Sequence, residues 1–106
     1  MNILFLLADD LRWNSIGYFG NNIVYTPHID KLAEAGVKFE NAYVTTPILS
    51  VSRVSILTGQ YMSRHGINRF SKEIDKVSFA DTYPSVLRRN GYYTGFVGKY
   101  GVGKIR

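Results

Sequence analysis

Three features of the 106-residue sequence predict an α/β fold, with helices covering the faces of a mainly parallel sheet. A continuous apolar run, Asn2-Ile-Leu-Phe-Leu-Leu-Ala8, stops abruptly at two carboxylates; a run without alternation is what a strand buried on both faces of a parallel sheet requires. Two later segments open with a threonine closely followed by proline and carry apolar residues at helical spacing, ending in glycine or Asn-Gly. Short stretches suited to strands follow each of these helix ends. The resulting order, strand–helix–strand–helix–helix–strand, is the pattern of a layered α/β arrangement.

Each element has a local reason. After the first strand, Gly17, Gly20, Asn21 and Asn22 mark a loop. Thr26 is then placed to cap a helix whose first residue is Pro27, because proline needs no N–H there and its fixed φ suits the first turn. Ile29, Leu32 and Ala33 recur at helical spacing, and Gly36 is the expected stop. Val37-Lys38-Phe39-Glu40 alternates apolar and polar and opens a second strand. Tyr43–Ser50 reads as loop, Ser52–Thr58 as one or two helical turns closed by Gly59, and Gln60–Lys76 as polar surface loop. Thr82-Tyr-Pro84 repeats the cap-then-proline pattern, with a helix through Val86 and Leu87 to Asn90-Gly91. Tyr93-Thr-Gly-Phe-Val97 is the third strand. A parallel sheet needs both faces covered, and three strands with so few helices leave an edge open. Residues 1–106 are therefore expected to be an incomplete domain.

Composition narrows the chemistry. There is no cysteine, which excludes a disulfide framework, a zinc ribbon, an iron–sulfur cluster and a thiol nucleophile. The apolar fraction of 45% is that of a globular chain rather than a disordered one. The longest apolar run is far short of the ~20 residues a membrane span needs, and Met1-Asn2 offers no basic n-region for a signal peptide. Thirteen Lys and Arg face eight Asp and Glu, a net charge of +5, but the basic residues are scattered, so no nucleic-acid partner is expected.

Three places carry candidate chemistry. Asp9-Asp10 ends a strand where open α/β sheets hold ligands; the pair either binds a hard divalent cation, which relieves its repulsion, or caps the next turn. Arg53, at the start of a short helix, either seats an anion together with backbone N–H groups or covers apolar surface with its stem. Gly98-Lys-Tyr-Gly-Val-Gly103-Lys104 approaches a phosphate-binding loop, but Ile105 replaces the hydroxyl that should meet magnesium and no helix follows. That stretch is expected to be a glycine-rich tail.

Taken in order, these segments resemble the N-terminal part of the sulfatases. The resemblance runs through Asn2-Ile-Leu-Phe-Leu-Leu-Ala-Asp-Asp-Leu11 and Thr26-Pro-His-Ile-Asp-Lys-Leu-Ala-Glu-Ala-Gly-Val-Lys-Phe-Glu-Asn-Ala-Tyr43. It continues through Ser52-Arg53-Val-Ser-Ile-Leu-Thr-Gly59, Arg64-His-Gly66 and Gly91-Tyr-Tyr-Thr-Gly-Phe-Val-Gly-Lys99. It implies an alkaline-phosphatase-like fold, a large doubly wound sheet of which this chain would supply one part, and calcium-dependent hydrolysis of sulfuric esters. Asp9 and Asp10 then resemble the first two calcium ligands; calcium takes about six to eight oxygens, and the family's other ligands lie well beyond residue 106. Arg53 resembles the arginine that steadies the nucleophile. Lys99 resembles the lysine that holds a sulfate oxygen and offsets the charge of the departing group. His65 resembles a family histidine and is assigned a structural role.

The departures bear equally on function. The family's nucleophile, a Cys or Ser oxidised to formylglycine, stands four residues before the arginine, where this chain has Leu49. Leucine has nothing to oxidise. Ser50 is one position late, a swing of roughly 100° on a helix, and Val51 replaces the usual proline. The family's Lys-Trp-His is here Lys99-Tyr100-Gly101, which removes an assisting histidine. The expectation is a sulfatase-like chain, inactive as it stands, whose ligand is a sulfated small molecule or glycan and whose partner is the missing C-terminal portion. The alternative is a non-catalytic binder of sulfated or phosphorylated ligands.

Overall fold

Helices form where the sequence supplies a start and a stop, and the computed structural model, which describes residues 1–103, contains five of them. They are α1 (Pro27–Ala35), α2 (Leu49–Thr58), α3 (Met62–His65), α4 (Lys76–Ala80) and α5 (Tyr83–Arg89). A single 3-10 turn spans Gly17–Phe19. The chain divides into two compact units, Met1–Ala42 and the residues from Tyr43 onward.

In the first unit α1 begins at Pro27 as expected, but Thr26 does not cap it through its side chain. Its Oγ1 instead accepts from the Gly17 N–H at 2.9 Å and donates to Asp30 Oδ1 at 3.0 Å. Asp30 also accepts from the Tyr18 N–H at 2.8 Å. Asp30 thus ties the 3-10 turn to the first turn of α1, where a carboxylate is favoured by the helix dipole. Gly17 is needed for that approach, since a Cβ there would lie 2.6 Å from Asp30 Oδ2. Asn21 folds the loop between them, its Oδ1 accepting from Ile23 and Val24 N–H groups at 2.8 and 2.9 Å.

The second unit is built around α2. It starts at Leu49, three residues earlier than the sequence reading, because Ile48 takes an extended conformation at the N-cap without any side-chain cap. It stops at Gly59 with φ 66°, a left-handed position that glycine takes without the steric cost of a Cβ. Val54 of α2 packs with Ile67 and Val102 into the core, flanked by Ile74 and Tyr100; Val51 is also fully buried. The region expected to be loop between Gln60 and Lys76 holds α3 and the start of α4. The Asp75 side chain caps α4 by accepting from the Val77 and Ser78 N–H groups at 3.0 and 2.9 Å, and these bonds hold its carboxyl below the usual range, the Ser78 bond most strongly. Thr82 precedes α5, and its buried Oγ1 donates to the Phe79 carbonyl at 2.8 Å, joining α5 to α4.

No strand forms among the described residues. The three segments read as strands are largely exposed: Leu4 is 82% accessible, Phe39 79% and Val97 100%. A strand's N–H and C=O groups need a neighbouring strand, and these segments meet none within the described residues. The expected parallel sheet is therefore absent here, while the helices expected around it are present.

This burial pattern predicts that Val54→Ala lowers the stability of the second unit by about 2 kcal/mol, through lost transfer energy and a residual cavity. Leu4→Ala should change stability by less than about 0.5 kcal/mol. Urea unfolding followed by circular dichroism compares the two.

Candidate functional site

The first two turns of α2 carry Leu49 and Arg53, and the Lys99 backbone meets Arg53 there. Leu49 and Arg53 are four positions apart, so their side chains share one face of the helix. The Arg53 guanidinium donates through Nη1 to the Lys99 carbonyl and, at 3.2 Å, to the Tyr100 carbonyl. The chain then passes Gly101 against this face: a Cβ at 101 would lie 3.1 Å from both Leu49 Cδ2 and Arg53 Nη1. Val102 enters the core beside Val54, and Gly103 lies against Glu73. Arg53 sits on the second turn of α2 rather than the first, since the helix begins early.

The glycine-rich stretch is therefore docked rather than a loose tail. Two of its glycines make close approaches, Gly101 to Leu49 and Arg53 of α2 and Gly103 to Glu73, whereas Gly98 is open. Lys104 lies outside the described residues. Tyr100 is half-buried beside Phe96, their rings 6.2 Å apart edge to face. Burial pushes the Tyr100 phenol above its ordinary pKa, and the Glu73 carboxylate adds to this.

Ser50 was not among the expected site residues beyond being judged one position late. It is fully buried, and its hydroxyl has no hydrogen-bond partner among the described residues. Such a group costs roughly 1–3 kcal/mol. Together with an N-cap residue that cannot cap, it leaves the start of α2 polar and undersatisfied. No sequence signal distinguishes this serine from its neighbours Ser52 and Ser55.

His65 closes α3 and bridges back to α2. The Ile67 N–H donates to Nδ1 at 3.1 Å, so this nitrogen carries no proton in the neutral ring. The proton is on Nε2, which lies 3.0 Å from Ser55 Oγ and donates to it. With Nε2 already protonated, the pair cannot act as a base and nucleophile. Burial lowers the His65 pKa from its ordinary value, and the Lys72 ammonium adds to the effect. Lys72 itself donates to the Gly66 carbonyl at 2.6 Å.

Asp9 and Asp10 belong to the first unit, exposed at the end of the extended apolar segment. Asp10 has φ 53°, a left-handed conformation unusual for a residue other than glycine but tolerated by aspartate. Hard carboxylate oxygens are the correct donors for calcium, but two residues cannot supply six to eight of them. Among the described residues no group of three or more His, Cys, Asp or Glu side chains comes together to hold a metal. Two concavities among the described residues are lined by other side chains, one by Tyr43, Thr45, Ser52, Ser55, Gln60 and Tyr61, the other by Trp13, Phe19, Lys38 and Phe39. No described helix is long and apolar enough to cross a membrane.

Comparison with known proteins adds a family. The sulfatase family model matches residues 1–106. The chain is 40% identical over 105 residues to an N-acetylgalactosamine-6-O-sulfatase of Bacteroides thetaiotaomicron, covering 96% of this chain and 20% of that enzyme. It is 39% identical over 100 residues to an arylsulfatase of Clostridium perfringens, covering 92% of this chain and 20% of that enzyme. It is 32% identical over 115 residues to human steryl-sulfatase, covering 96% of this chain and 19% of that enzyme. The chain thus spans about a fifth of the length of these relatives. No solved structure matches it.

The His65 bridge sets a pH dependence. The folded pKa lies below 6.5, so the unfolded chain takes up this proton first as the pH falls. The stabilisation is complete above about pH 6.5 and is lost as the pH drops from there through the folded value. Protonation also turns Nδ1 into a donor facing the Ile67 N–H. Thermal melts between pH 7.5 and 5.5 should show a falling midpoint, and His65→Gln should flatten that fall.

Proposed function

The chain belongs to the sulfatase family, and from that premise we propose that it forms part of a sulfatase-like hydrolase of sulfuric esters whose anion-facing cations are Arg53 and Lys99. The family implies an alkaline-phosphatase-like α/β fold, and its members typically use a metal. In this reading the segments 2–8, 37–40 and 93–97 are strands of a partial doubly wound, mainly parallel sheet with helices on its faces. The remaining strands lie in the rest of a longer protein. That portion is the chain's first partner, and it answers the exposure of Leu4, Phe39 and Val97.

One observation carries the site: Arg53, on the second turn of α2, donates to the carbonyls of Lys99 and Tyr100, far away in sequence. The Lys99 and Tyr100 carbonyl oxygens that Arg53 holds are acceptors of the kind a sulfate group would present, which supports this reading. Lys99 would add a second positive charge to offset the negative charge of a sulfuryl oxygen. Asp9 and Asp10 would contribute oxygens to a calcium ion, with further ligands from the longer protein. Such an ion, when bound, would supply Lewis-acid chemistry.

Leu49 stands where the family carries its oxidised nucleophile, and its side chain has no atom able to attack sulfur. The chain as given is therefore inactive in this proposal. The substrate class is a sulfated small molecule or glycan, the chemistry named for the relatives. The same substitution favours a second reading, a non-catalytic binder that keeps the cations and lacks the nucleophile.

An aryl sulfate incubated with the chain and calcium should give no turnover above buffer. Retention on a sulfated-glycan resin should depend on calcium and fall at least about tenfold in Arg53→Ala. Turnover abolished by Arg53→Ala would contradict the assignment of Leu49. Retention indifferent to sulfation would contradict the assignment of Arg53.

A further inference from the structure

We infer that Leu49 and Gly101 are an interlocked pair that positions Arg53, so that a larger residue at 101 is compatible only with a smaller one at 49. The segment 99–102 is pinned from two sides. On one side Arg53 Nη1 holds the carbonyls of Lys99 and Tyr100. On the other, Val102 is 3% exposed in the core against Val54. Between these anchors, Gly101 has no freedom to back away from α2.

The space at 101 is already occupied. A Cβ there would lie 3.1 Å from Leu49 Cδ2, 3.1 Å from Arg53 Nη1 and 3.3 Å from Arg53 Cδ. The φ of 63° adds a second, separate penalty for any side chain. Leu49 therefore fills one side of the gap that Gly101 leaves, and Arg53 closes the other. A Cβ introduced at 101 requires the leucine or the guanidinium to give by a few tenths of an ångström, and a shift of the guanidinium disturbs its bonds to the 99 and 100 carbonyls. Gly101 is in this sense a positioning residue for Arg53.

The pair gains meaning from the reading of Arg53 as a sulfate-facing cation, on which its functional consequence rests. Leu49 and Gly101 are two of the positions at which the chain departs from the sulfatase pattern, and a Cβ at 101 would meet Leu49 Cδ2 at 3.1 Å. Restoring a histidine at 101 while Leu49 remains would drive Arg53 off its carbonyl partners. Shortening residue 49 alone would leave a gap beside Gly101.

A double-mutant cycle on the whole 106-residue chain tests the interlock, using Leu49→Ala and Gly101→Ala. The backbone penalty of alanine at positive φ is the same in both backgrounds and cancels, whereas the collision with Leu49 does not. Gly101→Ala should lower the thermal midpoint by at least about 5 °C, and by a smaller amount when residue 49 is alanine. In parallel, the Arg53 guanidinium resonances in 15N NMR should lose protection from solvent exchange in Gly101→Ala and regain it in the double variant. Equal shifts in the two backgrounds, or Arg53 resonances that do not respond, would overturn the inference. If Gly101→Ala alone does not fold, a folded double variant supports the interlock and an unfolded one refutes it. A coupled cycle with no effect of Arg53→Ala on sulfated-resin retention would leave the interlock standing and remove the sulfate reading instead.

Discussion

The hydrogen bonds from the Arg53 guanidinium to the Lys99 and Tyr100 carbonyls are the constraint on which the second unit depends. Bonds from a charged donor are stronger than neutral ones, and here they fix a glycine-rich segment that has little intrinsic order. Once that segment is fixed, Val102 can reach the core formed with Val54 and Ile67. The core is small, so each of its residues contributes a large share of the burial that opposes chain entropy. The same contact gathers Leu49, Arg53 and the Lys99 backbone into one place, joining the folding of the unit to its proposed chemistry.

The first unit rests on another kind of constraint. Asp30 and Thr26 organise the Gly17–Phe19 turn by satisfying its N–H groups, while the apolar segment before it remains uncovered. An exposed run such as Ile3–Leu7 is normally a buried strand. Its exposure is intelligible in a chain that spans about a fifth of its relatives. No strand forms from this run among the described residues.

How much was legible in the sequence follows the same division. The helices α1 and α5 were readable because proline at the first turn and glycine or Asn-Gly at the end act locally. The start of α2 was misplaced because Ile48 gives no capping signal, and α4 was missed although Asp75 is a good N-cap residue, its helix being only Lys76–Ala80. Arg53 stood out as either an anion seat or a cover for apolar surface, and only the family resemblance gave it and Lys99 specific roles, since an isolated arginine on a short helix carries no specific signal. The packing of Gly101 on Leu49 was invisible, because it joins residues distant in sequence through backbone approach. Ser50 was equally hidden: its unsatisfied hydroxyl is a property of burial, which one sequence does not display.

The central claim is the approach of Gly101 to the Leu49–Arg53 face of α2, and a nuclear Overhauser experiment on the isotopically labelled chain measures it most directly. Strong cross-peaks between the Leu49 δ-methyl protons and the Gly101 α-protons are the result this account requires. Gly101 α-protons with unstructured chemical shifts and no contact to Leu49 would contradict it.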